Sequence, residues 1–253
     1  MDEFKDHFSG DAEGYARFRP TYPDGLFDWL ASLAKGHELA VDAACGTGQA
    51  SLGLTSHFDL VVGLDASSAQ ISRCPATEGV RFRVARAEST GLPEDSTDLL
   101  TVAQALHWLD LGAFYPEARR ILRPGGLLAA WTYERFQTGA APVDRIIDEF
   151  YEDQLGPFWP PERRHVAAGY QDLPFPFEEI TAPAMEMTAE WNLEQVMGYL
   201  GTFSAVGRLV AAGHPDPLPR LNRRLLAHWE STHRVVWPIR IRAGRMPCPN
   251  SGG

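Results

Sequence analysis

Two carboxylates bracket a pair of glycines in a way that could hold a nucleoside. Asp42 closes the apolar stretch Leu39-Ala-Val-Asp42, and Gly46 and Gly48 follow at once. Asp65 closes a second apolar run, Leu60-Val-Val-Gly-Leu64, at about the 20-residue spacing at which an acid meets a ribose and accepts from both of its hydroxyls. Glycine lets the backbone approach a ligand, because it has no Cβ and tolerates positive φ. A helix starting near Gln49 would add free N–H groups. Further along, Gln104-Ala-Leu-His-Trp108 offers an imidazole, the side chain whose charge changes near neutrality. His107 reads either as a general base or as a structural histidine bonded to a carbonyl. Trp108 reads either as a substrate wall or as core packing.

Two cofactor classes use such a loop. Gly46, Gly48 and Ser51 come near the G-x-G-x-x-G/A spacing of a dinucleotide site. Asp42 distinguishes the classes, because a carboxylate beside the loop repels a diphosphate and favours an ammonium and a sulfonium. S-adenosylmethionine carries both and has no phosphate. The words Val41-Asp-Ala-Ala-Cys-Gly-Thr-Gly48 resemble motif I of the class I S-adenosylmethionine-dependent methyltransferases, and Leu122-Arg-Pro-Gly-Gly126 resembles a second signature of that superfamily. The resemblance continues through Tyr15, Arg19-Pro-Thr-Tyr-Pro23, Gln104-Ala-Leu-His-Trp108, Trp159-Pro-Pro-Glu-Arg163, Gly198-Tyr-Leu200, Phe203-Ser-Ala205 and Trp237-Pro-Ile-Arg240. Those words are similar to small-molecule methyltransferases of the type 11 group related to trans-aconitate methyltransferase.

The elements that must position these residues follow from pattern. Residues 37–43, 60–65, 80–84, 98–103 and 127–133 read as strands, and 24–34, 66–71 and 114–122 as helical segments between them, with Asp24 as the first cap. Strand and helix alternate, the mark of a mostly parallel sheet. From Glu134 the alternation stops. Residues 143–155, 191–206 and 218–233 read as amphipathic helices, 177–180 and 184–187 as short strands, and 235–242 as a last strand, where Pro238 calls for an edge or a bulge.

The resemblance implies a Rossmann-like α/β fold: a seven-stranded sheet, mostly parallel with the last strand antiparallel, and a helical cap. The expected organisation is a cofactor-binding core with an N-terminal flap over residues 1–135, a cap with the substrate region over 136–232, a closing strand over 233–246 and a tail over 247–253. Asp42, Ala44, Gly46, Gly48, Asp65 and Ala66 would line the cofactor, Gln104 would form a wall, and the backbone of Ala87 would read the adenine edge. The acid usual in that third-strand loop is replaced by Arg86, so Glu88 either compensates or is a solvated loop residue. Tyr15 and Arg19 read as an arm packed on the sheet or as a flap, with Arg19 on the methionine carboxylate and Tyr15 facing the sulfonium.

Methyl transfer from the sulfonium is the implied reaction, giving S-adenosylhomocysteine. A hydroxyl acceptor would use His107 as base, with Trp108 beside it. A carboxylate acceptor would need no base and would be held by Arg163, Arg164 or Arg208. Two alternatives stay open: a protein that binds the cofactor without transferring methyl, and an NAD(P)-binding oxidoreductase.

The formal charge of −10 argues against a nucleic-acid partner. No apolar run is long enough for a membrane span. Cys45, Cys74 and Cys248 lack metal-ligand spacing and read as reduced thiols of a cytoplasmic protein. A small molecule is the expected partner, and the protein itself is expected to be a monomer or homodimer.

Overall fold

A computed structural model describes residues 20–229 and 231–247. These divide into two compact units. The sheet unit takes residues 22–134, 164–185 and 239–247, and the accessory unit takes 20–21, 135–163 and 186–238. The accessory part is therefore not the continuous 136–232 block expected from composition, because residues 164–185 return to the sheet unit and the last strand crosses from one unit to the other.

The sheet unit opens with helix α1 (Asp24–Leu33), which buries Leu26, Phe27 and Leu30. Pro23, not Asp24, occupies its cap, and Asp24 lies in the first turn, where a carboxylate favours the positive helix end. Then come β1 (Leu39–Ala43), α2 (Gln49–Leu54), β2 (Leu60–Asp65), α3 (Ser68–Ile71), β3 (Val80–Val84), β4 (Thr97–Ala103), α4 (Leu111–Ile121) and β5 (Leu122–Tyr133). β1 runs parallel between β2 and β4, with Val41 opposite Val62 and Leu100. A central parallel strand is covered on both faces, which is why Leu39-Ala-Val41 reads as an apolar run rather than an alternation and why Asp42, next along it, is buried as well.

Helix α4 begins earlier than the periodicity suggests. Asp110 caps it, its Oδ1 accepting from the N–H groups of Gly112 (3.0 Å) and Ala113 (3.4 Å). The expected turn at 123–126 is absorbed into β5 as a register shift against Thr97 and Leu99. Helix α6 (Arg163–Ala167) leads to β6 (Glu178–Ile180), and the final strand β8 (Thr232–Arg245) pairs antiparallel with both β5 and β6. The order is β3-β2-β1-β4-β5-β8-β6, a mostly parallel α/β sheet closed by an antiparallel strand, with an eighth strand, β7 (Met185–Asn192), pairing β8 off this path.

The accessory unit carries α5 (Ala141–Glu149), which widens into a π-helical turn at Phe150–Gln154, then α7 (Leu193–Gly201), α8 (Ser204–Ala211) and α9 (Leu218–Leu226). The single helix expected over 191–206 is two. An Asn192–Gln195 capping box starts the first at Leu193, and the chain turns extended at Phe203 before the second. The helix expected to reach residue 233 stops at Leu226, because β8 already begins at Thr232. Pro238 sits between the last residue laddered to β5, Ile239, and an isolated bridge at Val236.

Asp98 ties the amino-terminal edge of the sheet, as a structural acid should. Its Oδ2 accepts from the N–H groups of Glu38 (2.9 Å) and Leu39 (3.0 Å), and its Oδ1 accepts from Arg123 Nη1 (2.8 Å). It is buried, so removing it leaves two N–H donors and a guanidinium without their acceptor. Asp98→Ala should cost about 3 kcal/mol in denaturant unfolding while leaving S-adenosylhomocysteine affinity within twofold, since this edge lies opposite the glycine loop. A large loss of affinity in folded protein would contradict this division between the two edges.

Candidate functional site

The strand order changes direction between β1 and β4, so the carboxyl ends of those strands form the crevice where open α/β sheets take ligands. Both strand ends turn sharply. Ala44 has φ 54°, Gly46 57°, Gly48 88° and Gln104 58°. The two glycines differ in purpose. A Cβ at Gly48 would lie 2.5 Å from Phe82 Cζ, so packing against β3 demands glycine there. A Cβ at Gly46 would meet nothing within 4 Å, so there the loop faces open space.

Asp65 fixes this loop. Its Oδ2 accepts from the Gly46 N–H and its Oδ1 from the Ser67 N–H, each at 2.8 Å. Ser67 in turn caps α3, accepting from the Gln70 N–H. Ala66, half-buried, lies between those two anchors. The Cys45 N–H donates to Leu64 O at 2.9 Å, so the loop also extends the ladder of β2.

Asp42 sits deeper than its place before the glycines suggests. It is fully buried within β1, not at the mouth of the strand, and accepts from Ser51 Oγ (2.6 Å) and Thr101 Oγ1 (3.0 Å). Burial pushes its carboxyl up to about 6 against those two hydrogen bonds, and the charge of Asp65 adds to the rise. Asp42 is therefore a field source beneath the loop rather than a surface ligand. Asp42 and Asp65 together make this crevice acidic, and residues 42–51 contain no lysine or arginine. That donor set fits a cationic, zwitterionic nucleoside and not a diphosphate.

After β3 the loop is braced from α4. Thr90 donates through both N–H and Oγ1 to Glu117 Oε1. Arg120 first, and Thr90 with it, holds the Glu117 carboxyl down at about 2, although partial burial opposes this. Ala87 is buried in this braced segment. Glu88 is neither solvated nor loose: Oε1 accepts from the Asp110 N–H at 3.1 Å, and Oε2 lies 3.4 Å from Arg86 Nε. Arg86 thus pairs with the nearest acid of its own loop.

After β4, Gln104 Oε1 accepts from Thr132 Oγ1 (2.8 Å), and its N–H donates to Trp131 O (2.8 Å). A single 3₁₀ turn, Leu106–Trp108, presents His107. Its Nδ1 lies 2.9 Å from the Tyr170 hydroxyl. Trp108 is half-buried, its ring 4.6 Å from the imidazole.

Tyr170 is the residue that sequence reasoning missed. It lies 63 positions from His107, in a turn without regular periodicity, and no local pattern announces it. It is fully buried with φ 63°. Arg242 of β8 holds that strained backbone, Nη1 donating to Tyr170 O (2.8 Å) and Leu173 O (2.7 Å) while Nη2 meets Glu179 Oε1.

The cationic candidates separate. Arg163 belongs to the accessory unit, its guanidinium stacked over Tyr151 (5.6 Å) and Trp159 (5.3 Å). Arg164 is exposed and belongs to the sheet unit, on the same segment as Tyr170. Arg208 lies on α8. Tyr15 and Arg19 fall outside the described residues.

This geometry agrees with the chain's relatives. The methyltransferase domain family matches residues 41–130, from β1 into β5. A protein of Dictyostelium discoideum named as a methyltransferase is 33% identical over 233 residues, covering 91% of this chain and 89% of its own. A malonyl-[acyl-carrier protein] O-methyltransferase of Dechloromonas aromatica is 35% identical over 129 residues, 46% of this chain and 48% of that one. Among solved structures, one described as a type II methyltransferase from Anaeromyxobacter dehalogenans superposes with a TM-score of 0.86 at 45% identity, covering 92% of this chain and all of that one. The chain belongs to the class I S-adenosylmethionine-dependent methyltransferases.

Proposed function

We propose that the acceptor is a small molecule methylated on oxygen, a hydroxyl or a carboxylate. The observation that carries this reading is His107, held by Tyr170 just beyond the carboxyl end of β4. The O-methyltransferase among the relatives supports oxygen, and the net charge of −10 speaks against nucleic acid. No helix among the described residues is long and apolar enough to cross a membrane. A cytoplasmic monomer or homodimer completes the proposal on sequence grounds.

When bound, S-adenosylmethionine supplies a methyl group already activated by the sulfonium charge. The protein's task is then positioning and exclusion of water. In this proposal Asp65, which also anchors the loop, accepts from the ribose hydroxyls. The Gly46 and Gly48 backbone and Ala44 let the methionine end pass, Ala66 and Gln104 form walls, and Ala87 with Glu88 faces the adenine. Asp42 attracts the ammonium through the field beneath the loop. Arg19 would take the methionine carboxylate and Tyr15 would face the sulfonium.

For a hydroxyl acceptor, His107, paired through Nδ1 with the Tyr170 hydroxyl, is the proposed base for the hydroxyl proton. Trp108 walls that side. For a carboxylate acceptor, Arg164 of the sheet unit is the proposed partner and no proton moves.

Screening labelled methyl transfer against a metabolite panel identifies the acceptor. With a hydroxyl acceptor, His107→Ala should lower kcat by about 10²–10⁴ and leave S-adenosylhomocysteine affinity within about twofold. Unchanged turnover would remove His107 from the chemistry. Methyl found on nitrogen or carbon would remove the oxygen assignment.

Asp42 generates a pH dependence of its own. Its raised carboxyl means the fold holds that proton more tightly than the unfolded chain. Its contribution to stability is thus full below about 4 and lost as pH rises through about 6. A bound ammonium favours the ionised form, so affinity moves the other way. Calorimetry should show S-adenosylhomocysteine binding weaken about tenfold from pH 7 to pH 5. Asp42→Asn should flatten that profile, bind weakly throughout and melt no lower than wild type at pH 7.5. A flat wild-type profile would show that the buried carboxylate does not sense the ligand.

A further inference from the structure

Two thiols converge on one carbonyl of the cofactor loop. Cys45 is buried within that loop, and its Sγ lies 3.7 Å from Gly46 O. Cys74 follows α3 in a half-exposed bend, and its Sγ lies 3.4 Å from the same oxygen and 3.7 Å from Gln70 O. The chain after Cys74, residues 75–78, is exposed, so that side of the pair has room to move. We propose that Cys45 and Cys74 form a reversible disulfide under a hydroperoxide and that this bridge closes the adenosylmethionine site.

The chemistry divides between the two sulfurs. A hydrogen bond from Cys45 favours the Cys74 thiolate, against partial burial and the nearby acids. The same hydrogen bond, then burial, pushes the Cys45 thiol up. Cys74 is therefore the attacking sulfur, and it is also the more accessible one. Its thiolate attacks a peroxide oxygen, the O–O bond breaks, and Cys74 becomes a sulfenic acid as hydroxide leaves and is protonated to water. Cys45 sulfur then attacks Cys74 sulfur; the S–S bond forms, the S–O bond breaks, and the oxygen departs as water with the Cys45 proton. Two thiols and one hydrogen peroxide give one disulfide and two waters.

The bridge would reach the cofactor through Gly46. A disulfide draws the sulfurs to about 2.05 Å and removes the S–H contact at Gly46 O, so both cysteines must move relative to that carbonyl. The N–H of that same Gly46 binds Asp65 Oδ2, the carboxylate assigned to the ribose. Loop and carboxylate therefore shift together.

The test uses the full chain with Cys248→Ser, so that only the two thiols in question remain. Peroxide is added and then removed before measurement. Titratable thiols should fall from two to zero, a peptide linking Cys45 to Cys74 should appear in a non-reducing digest, and S-adenosylhomocysteine affinity by calorimetry should fall at least tenfold. Dithiothreitol should restore both. With Cys74→Ser added, the affinity should survive peroxide. The proposal is overturned if no linked peptide forms, if it forms with affinity unchanged, or if the Cys74→Ser protein loses affinity equally.

Discussion

One carboxylate holds the cofactor loop against the sheet. Asp65 takes an N–H from each side, Gly46 in the loop after β1 and Ser67 ahead of α3, and so fixes two turns at once. A carboxylate that accepts backbone N–H groups is among the stronger hydrogen-bond acceptors available to a protein. A loop containing two glycines has high conformational entropy to lose, and here a single charged group offsets much of that loss. The same group is the one proposed for the ribose, and in that proposal loop order and cofactor recognition rest on one residue.

A second carboxylate beneath the loop sets the sign of the field. Asp42 lies wholly buried and is held by two hydroxyls, from Ser51 and Thr101. Burial works against its charge and Asp65 adds to that cost. A fold that keeps two acids this close without an arginine or lysine in the loop has placed negative potential where a cation can relieve it. A diphosphate would meet the opposite. This distinguishes the crevice from a dinucleotide site more firmly than the glycine spacing does.

Much of the sheet was legible because its signals are local. β3 at Val80–Val84 alternates and lies where alternation puts it. The accessory part was less legible because its boundaries depend on capping and tertiary pairing. Asn192 with Gln195 begins a helix inside what reads as a longer one, and the pairing of β8 ends the helix expected to run to residue 233. In the site, the types and spacing of Asp42, Gly46, Gly48 and Asp65 gave the cofactor class. The depth of Asp42 was hidden, because its partners Ser51 and Thr101 come from two different elements. Tyr170 was hidden more completely, since only the folded chain brings it to His107.

Strain identifies the same edge of the sheet independently. Among the described residues four non-glycine residues have positive φ: Ala44, Asp95, Gln104 and Tyr170. Asp95 lies in the turn before β4. The other three gather where β1 and β4 end and on the side chain that holds His107. Each such backbone costs of order 1–3 kcal/mol and persists only where surrounding bonds over-determine it. Those bonds are present: the Gln104 N–H donates to Trp131 O, and Arg242 grips Tyr170 O and Leu173 O. Arg242 is itself buried, paired with Glu179 and stacked 4.6 Å over Phe175. A buried arginine that holds the carbonyls of both Tyr170 and Leu173 carries a desolvation cost that an apolar residue filling the same space would not. It is explained if the orientation of the Tyr170 hydroxyl matters, and the partner of that hydroxyl is the imidazole proposed to take the acceptor's proton.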